Sequence, residues 1–322
     1  MPRVNGLAVA GAFVGGVALY PPAIVTLRRL GLRQVERSDG PTSHLRKAGT
    51  PTAGGLVFCL VLAVAWGLAL RDLAGGVVVA AAALGTAVGL ADDWLKVRRG
   101  KGLRALPKFG LLAVCSGLLG WALSVSGAGP QIVPGLGWRD LGAGAIALAA
   151  FAALASANAA NLTDGVDGLT AGVALPAFAA CGLAASIQHR PALATTCFVL
   201  AAGLLAFLAF NRPQARIFMG DAGALAIGLM LAVAATETGL LLLLPLLAVV
   251  FVVEALSVMA QVGYFKLSHG RRLLRMSPFH HHLELGGMGE WGIDLRLWAT
   301  SLVAAALVVA WALWSGLGGT RP

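Results

Sequence analysis

Three consecutive histidines, His280, His281 and His282, lie in a polar segment of a chain that is otherwise largely apolar. Imidazole can transfer protons near neutral pH, bind a metal or donate a hydrogen bond to a phosphate, and none of these properties is needed to hold helices in lipid. The histidines therefore indicate where chemistry takes place. A surface cluster without a function is the weaker alternative.

Carboxylates form the second set of candidate groups, because the chain has only 14 acidic residues. Five of them fall at ends of predicted membrane helices, namely Asp92, Asp93, Asp164, Asp167 and Asp221. A carboxylate at the edge of the hydrocarbon is costly unless it meets a cation, a hydrogen-bonding partner or water. All five are predicted on one face of the membrane, which suggests a shared site.

Each acidic motif also has a purely structural explanation. Asp92 and Asp93 would point about 100° apart on a helix, so one could face a metal or a proton and the other a basic partner. Alternatively, the pair forms a solvated helix end. Asp164 and Asp167 would share one side of a helical turn, or belong to a polar turn that caps the next helix. Asp221 follows a glycine at a predicted helix start, where an aspartate is often only an N-cap.

Composition assigns the class of protein. Hydrophobic residues make up 58% of the 322 residues, charged residues make up 12%, and the mean hydropathy is +0.83. These values are typical of an all-α integral membrane protein. Ten apolar stretches are long enough to cross a bilayer, approximately 5–27, 53–70, 73–91, 109–126, 141–157, 169–187, 192–210, 222–236, 239–263 and 297–315. We expect one polytopic domain over residues 1–322, a retained first helix, and four cysteines that act as small hydrophobic residues.

The basic residues orient these spans. Of the 24 lysines and arginines, 19 fall in alternate loops of the ten-span arrangement. The positive-inside rule makes those loops cytoplasmic, puts both termini outside and places the acidic helix ends at the cytoplasmic face. Topology thus explains most of the net charge of +10 without a nucleic-acid partner.

Several further motifs accompany the acidic and histidine groups in a fixed order. They are Asp39-Gly40-Pro41 with GTPT at 49–52, the Asp92-Asp93 pair, NLTDGVDG at 161–168, FMGD at 218–221, FVVEALS at 251–257 and PFHHHLE at 278–284. Across ten predicted spans this series resembles the polyprenyl-phosphate N-acetylhexosamine-1-phosphate transferase superfamily, and within it the bacterial phospho-N-acetylmuramoyl-pentapeptide transferases. The resemblance covers nearly the whole chain.

The resemblance implies a reaction, a cofactor and a location. Phospho-N-acetylmuramoyl-pentapeptide would pass from UDP-N-acetylmuramoyl-pentapeptide to undecaprenyl phosphate, which gives lipid I and UMP with Mg²⁺ as the cofactor. The enzyme would lie in the bacterial cytoplasmic membrane, with its active-site cleft facing the cytoplasm and the bilayer as a partner. A homodimer is compatible with the sequence, which leaves the oligomeric state open.

Roles for individual residues follow from the same resemblance. It assigns catalysis to Asp92 as base or lipid-phosphate organiser, to its partner Asp93, and to Asp221 as the magnesium ligand. It puts His280, His281 and His282 in substrate binding or transfer. The remaining substrate-binding positions are Lys47, Thr52, Lys96, Lys108, Asn161, Asp164, Asp167, Asn211 and Phe218, the last of which would stack on uracil.

Two other functions stay open, and two positions are less well defined. A sister transferase could use UDP-N-acetylglucosamine, although the histidine motif argues against it. An ion-coupled transporter would hold its acids near the bilayer midplane, where only Glu254 is predicted. Glu254 is either structural or functional. Pro107, which departs from the family pattern, leaves the position of Lys108 uncertain.

Overall fold

A computed structural model describes residues 4–33 and 49–319, and this part of the chain is almost entirely helical. Lys47 and the motif Asp39-Gly40-Pro41 lie outside the described residues. The helices are α1 Gly6–Arg29, α2 Gly55–Ala65, α3 Leu73–Arg99, α4 Ala105–Val125, α5 Gly142–Thr163, α6 Leu169–Ile187, α7 Pro191–Asn211, α8 Gly220–Glu237, α9 Leu244–Leu247, α10 Val249–Leu267, α11 Phe279–Glu284 and α12 Glu290–Trp314.

Within the described ranges, nine helices are long and apolar enough to span a membrane, against the ten spans expected. The difference lies at the second predicted span, where α2 continues as a π-helical turn over Trp66–Leu70 and forms a shorter apolar helix, Gly55–Leu70. The ninth predicted span is interrupted as well. A 3₁₀ turn at Leu241–Leu243 and the short α9 precede α10. The class of all-α membrane protein is confirmed.

A small antiparallel hairpin was not predicted. β1 (Pro130–Val133) pairs with β2 (Gly137–Asp140) in the connection between α4 and α5. The N–H of Ile132 donates to the carbonyl of Gly239 at 2.9 Å, which attaches the hairpin to the end of α8. This contact lies at the end of α8 opposite Asp221.

Helix α8 is the centre of the bundle, since every one of its residues is buried. Glycines let its neighbours approach closely. A Cβ on Gly89 of α3 would lie 2.2 Å from the carbonyl oxygen of Asp221, and a Cβ on Gly228 of α8 would lie 2.4 Å from the Cα of Ala157. Small residues at such crossings are expected in lipid, where van der Waals packing rather than the hydrophobic effect joins helices.

The helix directions bring several polar ends together. The end of α3, the starts of α4 and α8, and the end of α5 meet around Asp221, as the contacts of Lys96, Lys108 and Asn161 establish. The turn between α5 and α6 and the end of α7 lie beside them. We call this end of the bundle the site end.

Candidate active site

The first turn of α8 rests on the last turns of α3. Gly220 begins α8 with a left-handed φ of +71°. Asp93 Oδ1 accepts a hydrogen bond from the N–H of Asp221 at 3.1 Å, and its Oδ2 accepts one from the N–H of Ala222 at 3.2 Å. Asp93 therefore caps a helix other than its own and satisfies N–H groups that a helix start leaves unpaired. Asp221 lies in the first turn and is not the N-cap, a position held by Met219.

Asp92 faces the loop that follows α3. Its Oδ1 accepts a hydrogen bond from the N–H of Leu103 at 2.6 Å, and its Oδ2 lies 2.7 Å from Lys96 Nζ. A Cβ on Gly102 would come within 2.6 Å of Asp92 Oδ1, so the loop can pass this closely because residue 102 has no side chain. Asp92 and Asp93 thus have different partners, as their angular separation on the helix predicts.

Two lysines join the helix ends around Asp221. Lys96 Nζ lies 2.7 Å from Asp221 Oδ1, and Lys108 Nζ donates to Asp221 Oδ2. Lys108 Nζ also donates to Asn161 Oδ1 at 3.0 Å, which adds the end of α5 to the cluster. Pro107 is accommodated because α4 begins at Ala105, and a proline in the first turn removes no intrahelical hydrogen bond. It therefore does not keep Lys108 away from the site.

A cation would fit the three carboxylates of Asp92, Asp93 and Asp221. All three are buried, and each offers one oxygen within 4.8 Å of the other two. Oxygen ligands of this kind suit Mg²⁺, which normally takes one or two carboxylates together with phosphate oxygens. Lys96 Nζ lies 2.7, 3.9 and 2.7 Å from the carboxylates of Asp92, Asp93 and Asp221, so a cation bound by all three would require the ammonium group of Lys96 to move aside.

The polar turn 164–168 connects α5 to α6 and is not helical, so of the two alternatives the structure has the polar turn that precedes the next helix. Asp167 Oδ2 accepts a hydrogen bond from the N–H of Ala215 at 2.9 Å. Asn211 accepts one from the N–H of Gly168 at 3.0 Å and donates one to the carbonyl of Ile217 at 2.9 Å. Asp167 and Asn211 therefore hold the turn to the segment that leads into α8.

Asp164 is electrostatically coupled to the carboxylate cluster. Burial, followed by repulsion from Asp221 and Asp93, raises the pKa of Asp164 to about 8. This coupling brings the polar turn within the electrostatic range of the cluster.

The three histidines have different environments. His280 is fully buried, and both its backbone N–H and its Nδ1 contact the carboxylate of Glu254 in α10, at 3.2 and 3.1 Å. His281 and His282 are half-buried. His281 Nδ1 lies 3.1 Å from Glu284 Oε2, and His282 Nδ1 accepts a hydrogen bond from the backbone N–H of Arg275 at 3.1 Å.

Thr52 and Phe218 lie on two non-helical segments that meet before α2 and α8. The N–H of Phe218 donates to the carbonyl of Pro51 at 2.8 Å, and the ring is half-buried. Thr52 is buried, and its Oγ1 lies so near Gly220 that a Cβ there would come within 2.7 Å of it. Both residues therefore border the start of α8.

Sequence reasoning missed several groups that shape the site. Three of these features depend on how the helices cross, and residue type alone does not reveal them. They are the N–H of Leu103, the close approach at Gly89 and the left-handed backbone of Gly220. The pairing of Glu254 with His280 was missed as well. A signal did exist for that pair, because an acid inside an apolar span requires a partner.

The sequence of the chain is similar to those of known membrane transferases. A family model described as glycosyl transferase family 4 matches residues 76–239. A phospho-N-acetylmuramoyl-pentapeptide-transferase of Moorella thermoacetica is 45% identical over 319 residues, covering 91% of this chain and 94% of that protein. Proteins of the same name from Geobacillus thermodenitrificans and Heliobacterium modesticaldum are 39% and 40% identical and cover 96% and 92% of this chain. The residues 92, 93 and 221 fall inside the matched region.

Proposed function

The chain belongs to glycosyl transferase family 4, among the phospho-N-acetylmuramoyl-pentapeptide transferases, and from this premise we propose its substrates, its cofactor and the roles of its residues. The protein is a membrane transferase of peptidoglycan synthesis. In our proposal it transfers phospho-N-acetylmuramoyl-pentapeptide from UDP-N-acetylmuramoyl-pentapeptide to undecaprenyl phosphate, with lipid I and UMP as products. Residues 1–322 act as one transferase domain.

The observation that carries the proposal is the meeting of three buried carboxylates and two lysines at one end of the bundle. The reaction brings a lipid phosphate against a pyrophosphate, so like charges must approach each other. Cationic groups placed where that charge develops lower its energy. Lys96 and Lys108 are such groups, and their hydrogen bonds to Asp221 hold their ammonium nitrogens at the site end.

Magnesium is the proposed cofactor, with Asp221 as its principal ligand. The fit rests on the oxygen donor set of Asp92, Asp93 and Asp221. When bound, Mg²⁺ would offset phosphate charge and act as a Lewis acid toward the pyrophosphate. Asp93 already accepts two backbone hydrogen bonds from the start of α8, so it serves to position Asp221.

Direct attack by the lipid phosphate is the mechanism that we favour over an aspartyl-phosphate intermediate. The second pKa of a phosphate monoester is about 6, so the nucleophile is already ionised at neutral pH and needs no strong base. Asp92 is held by the N–H of Leu103 and by Lys96, an arrangement that suits an organiser of the incoming phosphate. In this scheme the bond from the sugar-linked phosphorus to the UMP oxygen breaks as the new pyrophosphate bond forms.

The nucleotide is proposed to bind beside the start of α8. Phe218 is half-buried there and offers an aromatic face to uracil. Polar groups at the site end would contact the ribose, the phosphates and the sugar, namely Thr52, Asn161, Asp164, Asp167 and Asn211. Lys47, which lies outside the described residues, is proposed as a substrate-binding residue from the sequence resemblance alone. The half-buried His281 and His282 are proposed to donate hydrogen bonds to the substrate. His280 is buried, so we propose that it supports the site without a direct contact with the substrate.

We propose that the site end faces the cytoplasm and that both termini lie outside. The basic residues of the alternate loops support this orientation through the positive-inside rule, with the shorter apolar helix Gly55–Leu70 counted as the tenth crossing. Soluble UDP-linked substrate would then reach the cleft from the cytoplasm, and undecaprenyl phosphate would reach it from the bilayer. The bacterial cytoplasmic membrane is the corresponding location.

Reconstitution tests the proposal directly. Purified protein in detergent receives undecaprenyl phosphate, Mg²⁺ and either fluorescent UDP-N-acetylmuramoyl-pentapeptide or UDP-N-acetylglucosamine, and both UMP and lipid-linked product are measured. We expect product from the pentapeptide substrate and its loss when Mg²⁺ is chelated. Product from UDP-N-acetylglucosamine alone would favour the sister transferase, and no UMP from either donor would reject the proposed reaction.

A further inference from the structure

Glu254 and His280 form a buried pair that the proposed reaction does not by itself explain. Both side chains are fully buried, one in α10 and the other at the start of α11. The carboxylate accepts the backbone N–H of His280 at 3.2 Å and contacts its ring Nδ1 at 3.1 Å. A carboxylate buried in a membrane protein is costly unless it is paired, so such a pair is a candidate for a functional role.

The pair fixes the tautomer of His280. A carboxylate is an acceptor, so Nδ1 must carry the hydrogen and Nε2 keeps a lone pair. Burial lowers the pKa of the His280 imidazole and outweighs Glu254, which acts to raise it. The ring is therefore neutral at pH 7. The hydrogen-free Nε2 therefore forms the outer edge of the ring.

That edge lies against Gly165 in the polar turn 164–168. A Cβ on Gly165 would come within 2.4 Å of His280 Nε2 and within 3.0 Å of its Cε1. No described residue offers Nε2 a hydrogen-bond partner. A buried acceptor without a partner costs about 1–3 kcal/mol, so its place at this turn needs an explanation.

We propose that Glu254 and His280 act in series as positioning residues for the polar turn 164–168: Glu254 holds the imidazole ring, and the Nε2 edge of the ring sets the position of Gly165. The turn carries Asp164 and Asp167, so its position controls how these two side chains meet the substrate. The inference rests on the proposed function for the identity of that substrate. His280 then acts on the reaction through the turn, without touching the reacting atoms.

The tautomer is part of this arrangement. A hydrogen on Nε2 would stand between the ring and Gly165, where the spacing already excludes a methyl group. The Nδ1–H form enforced by Glu254 presents the slimmest edge that the ring can offer. Loss of the Glu254 carboxylate should therefore move the turn through the ring of His280.

A double-mutant cycle tests the contact between ring and turn. In Gly165→Ala the new methyl group meets the ring, and we expect kcat/KM to fall about 10- to 100-fold, the usual effect of disturbing a supporting contact. His280→Asn keeps a donor for Glu254 and removes the Nε2 edge. In that background Gly165→Ala should cost little further activity or thermal stability, because the methyl group has space. Equal losses in both backgrounds would overturn the proposal.

Glu254→Gln tests the other half of the series. Either orientation of the glutamine amide puts an NH₂ group against an N–H of His280, so the exclusive Nδ1–H form should be lost. Nitrogen-15 NMR of labelled imidazoles should report Nδ1–H in the parent protein and a mixture in the variant. The same variant should raise KM for the UDP-linked substrate more than it lowers kcat. Glu237→Gln, at the opposite end of α8, is the control for replacing a buried glutamate, and it should leave the His280 tautomer and KM unchanged.

These measurements separate the inference from the proposed function. The His280 tautomer and the thermal stabilities of the Gly165 and His280 variants are measured without turnover. They therefore test the positioning role of Glu254 and His280 even if the protein makes no lipid-linked product. An Nε2–H form in the parent protein, or an unchanged KM in Glu254→Gln, would overturn the role of Glu254.

Discussion

Gly89→Ala is expected to damage the site without altering any polar group. In α3 a Cβ at this position would lie 2.2 Å from the carbonyl oxygen of Asp221 and 2.4 Å from the backbone nitrogen of Ala222. An ordinary nonbonded contact requires about 1 Å more, so α3 and the start of α8 must separate by that amount. Overpacking of this kind costs about 1–3 kcal/mol. The same displacement moves Asp221 away from Asp93, and a misplacement of about 1 Å can reduce a rate about 100-fold.

The assay compares turnover and thermal unfolding of purified Gly89→Ala with those of the parent protein. Gly117→Ala is the matched control, because Gly117 is also helical and nothing lies within 4 Å of a Cβ placed there. The control should be neutral or slightly stabilising, since alanine restricts the unfolded chain more than glycine does. A Gly89→Ala protein with parental activity and stability would refute the close approach of α3 to the start of α8 on which the site geometry depends.

Three further outcomes follow from the same geometry. Asp221→Asn should abolish turnover while the protein stays folded, and full activity at ordinary magnesium concentrations would remove Asp221 from the metal site. Phe218→Ala should weaken UMP binding by about 1–3 kcal/mol in calorimetry if the ring stacks on the base; unchanged affinity would assign Phe218 to packing. Burial lowers the pKa of His280, so below about pH 6.5 the unfolded state takes up a proton that the folded state refuses. Stability should therefore fall as the pH drops through this range, and His280→Asn should show a smaller fall than the parent protein, whereas identical pH dependence would contradict the buried neutral ring.

Much of the fold could be predicted because lipid imposes simple rules on sequence. Spans of apolar residues and a lack of charge identify a helical membrane protein whatever the helices pack against. The interruptions could not be predicted in the same way. The π-helical turn at Trp66–Leu70 lies within uniformly apolar sequence, so hydropathy gives no sign of it. The break before α10 contains Pro245, a helix-breaking residue that hydropathy does not register.

The candidate site was predictable for a different reason. Acids are so few in this chain that those at helix ends stand out, and Asp92, Asp93 and Asp221 do lie within reach of one cation. Their partners depend on geometry. A glycine such as Gly102 or Gly89 gives no chemical signal, and its importance appears only where a second backbone passes within contact distance. Of the two alternatives for Asp164 and Asp167, the polar turn before the next helix is the one observed, because glycines 165 and 168 favour a tight non-helical connection over continuation of α5.

The site end also explains why so many charges can be held at the edge of a membrane. Each carboxylate of the cluster meets either a lysine or the backbone N–H groups of a loop or helix start, so none is buried alone. In the proposed function the same contacts would arrange the groups for catalysis, because the lysines that neutralise Asp221 would be the cations that a pyrophosphate meets. Stability and the proposed function would then depend on one set of ion pairs. The Glu254–His280 pair differs, since it neutralises nothing in the cluster and leaves one ring nitrogen unpaired among the described residues. Burial of an unpaired ring nitrogen is unfavourable, and no electrostatic interaction with the cluster offsets it. We explain it by the contact of the ring with the turn that carries Asp164 and Asp167.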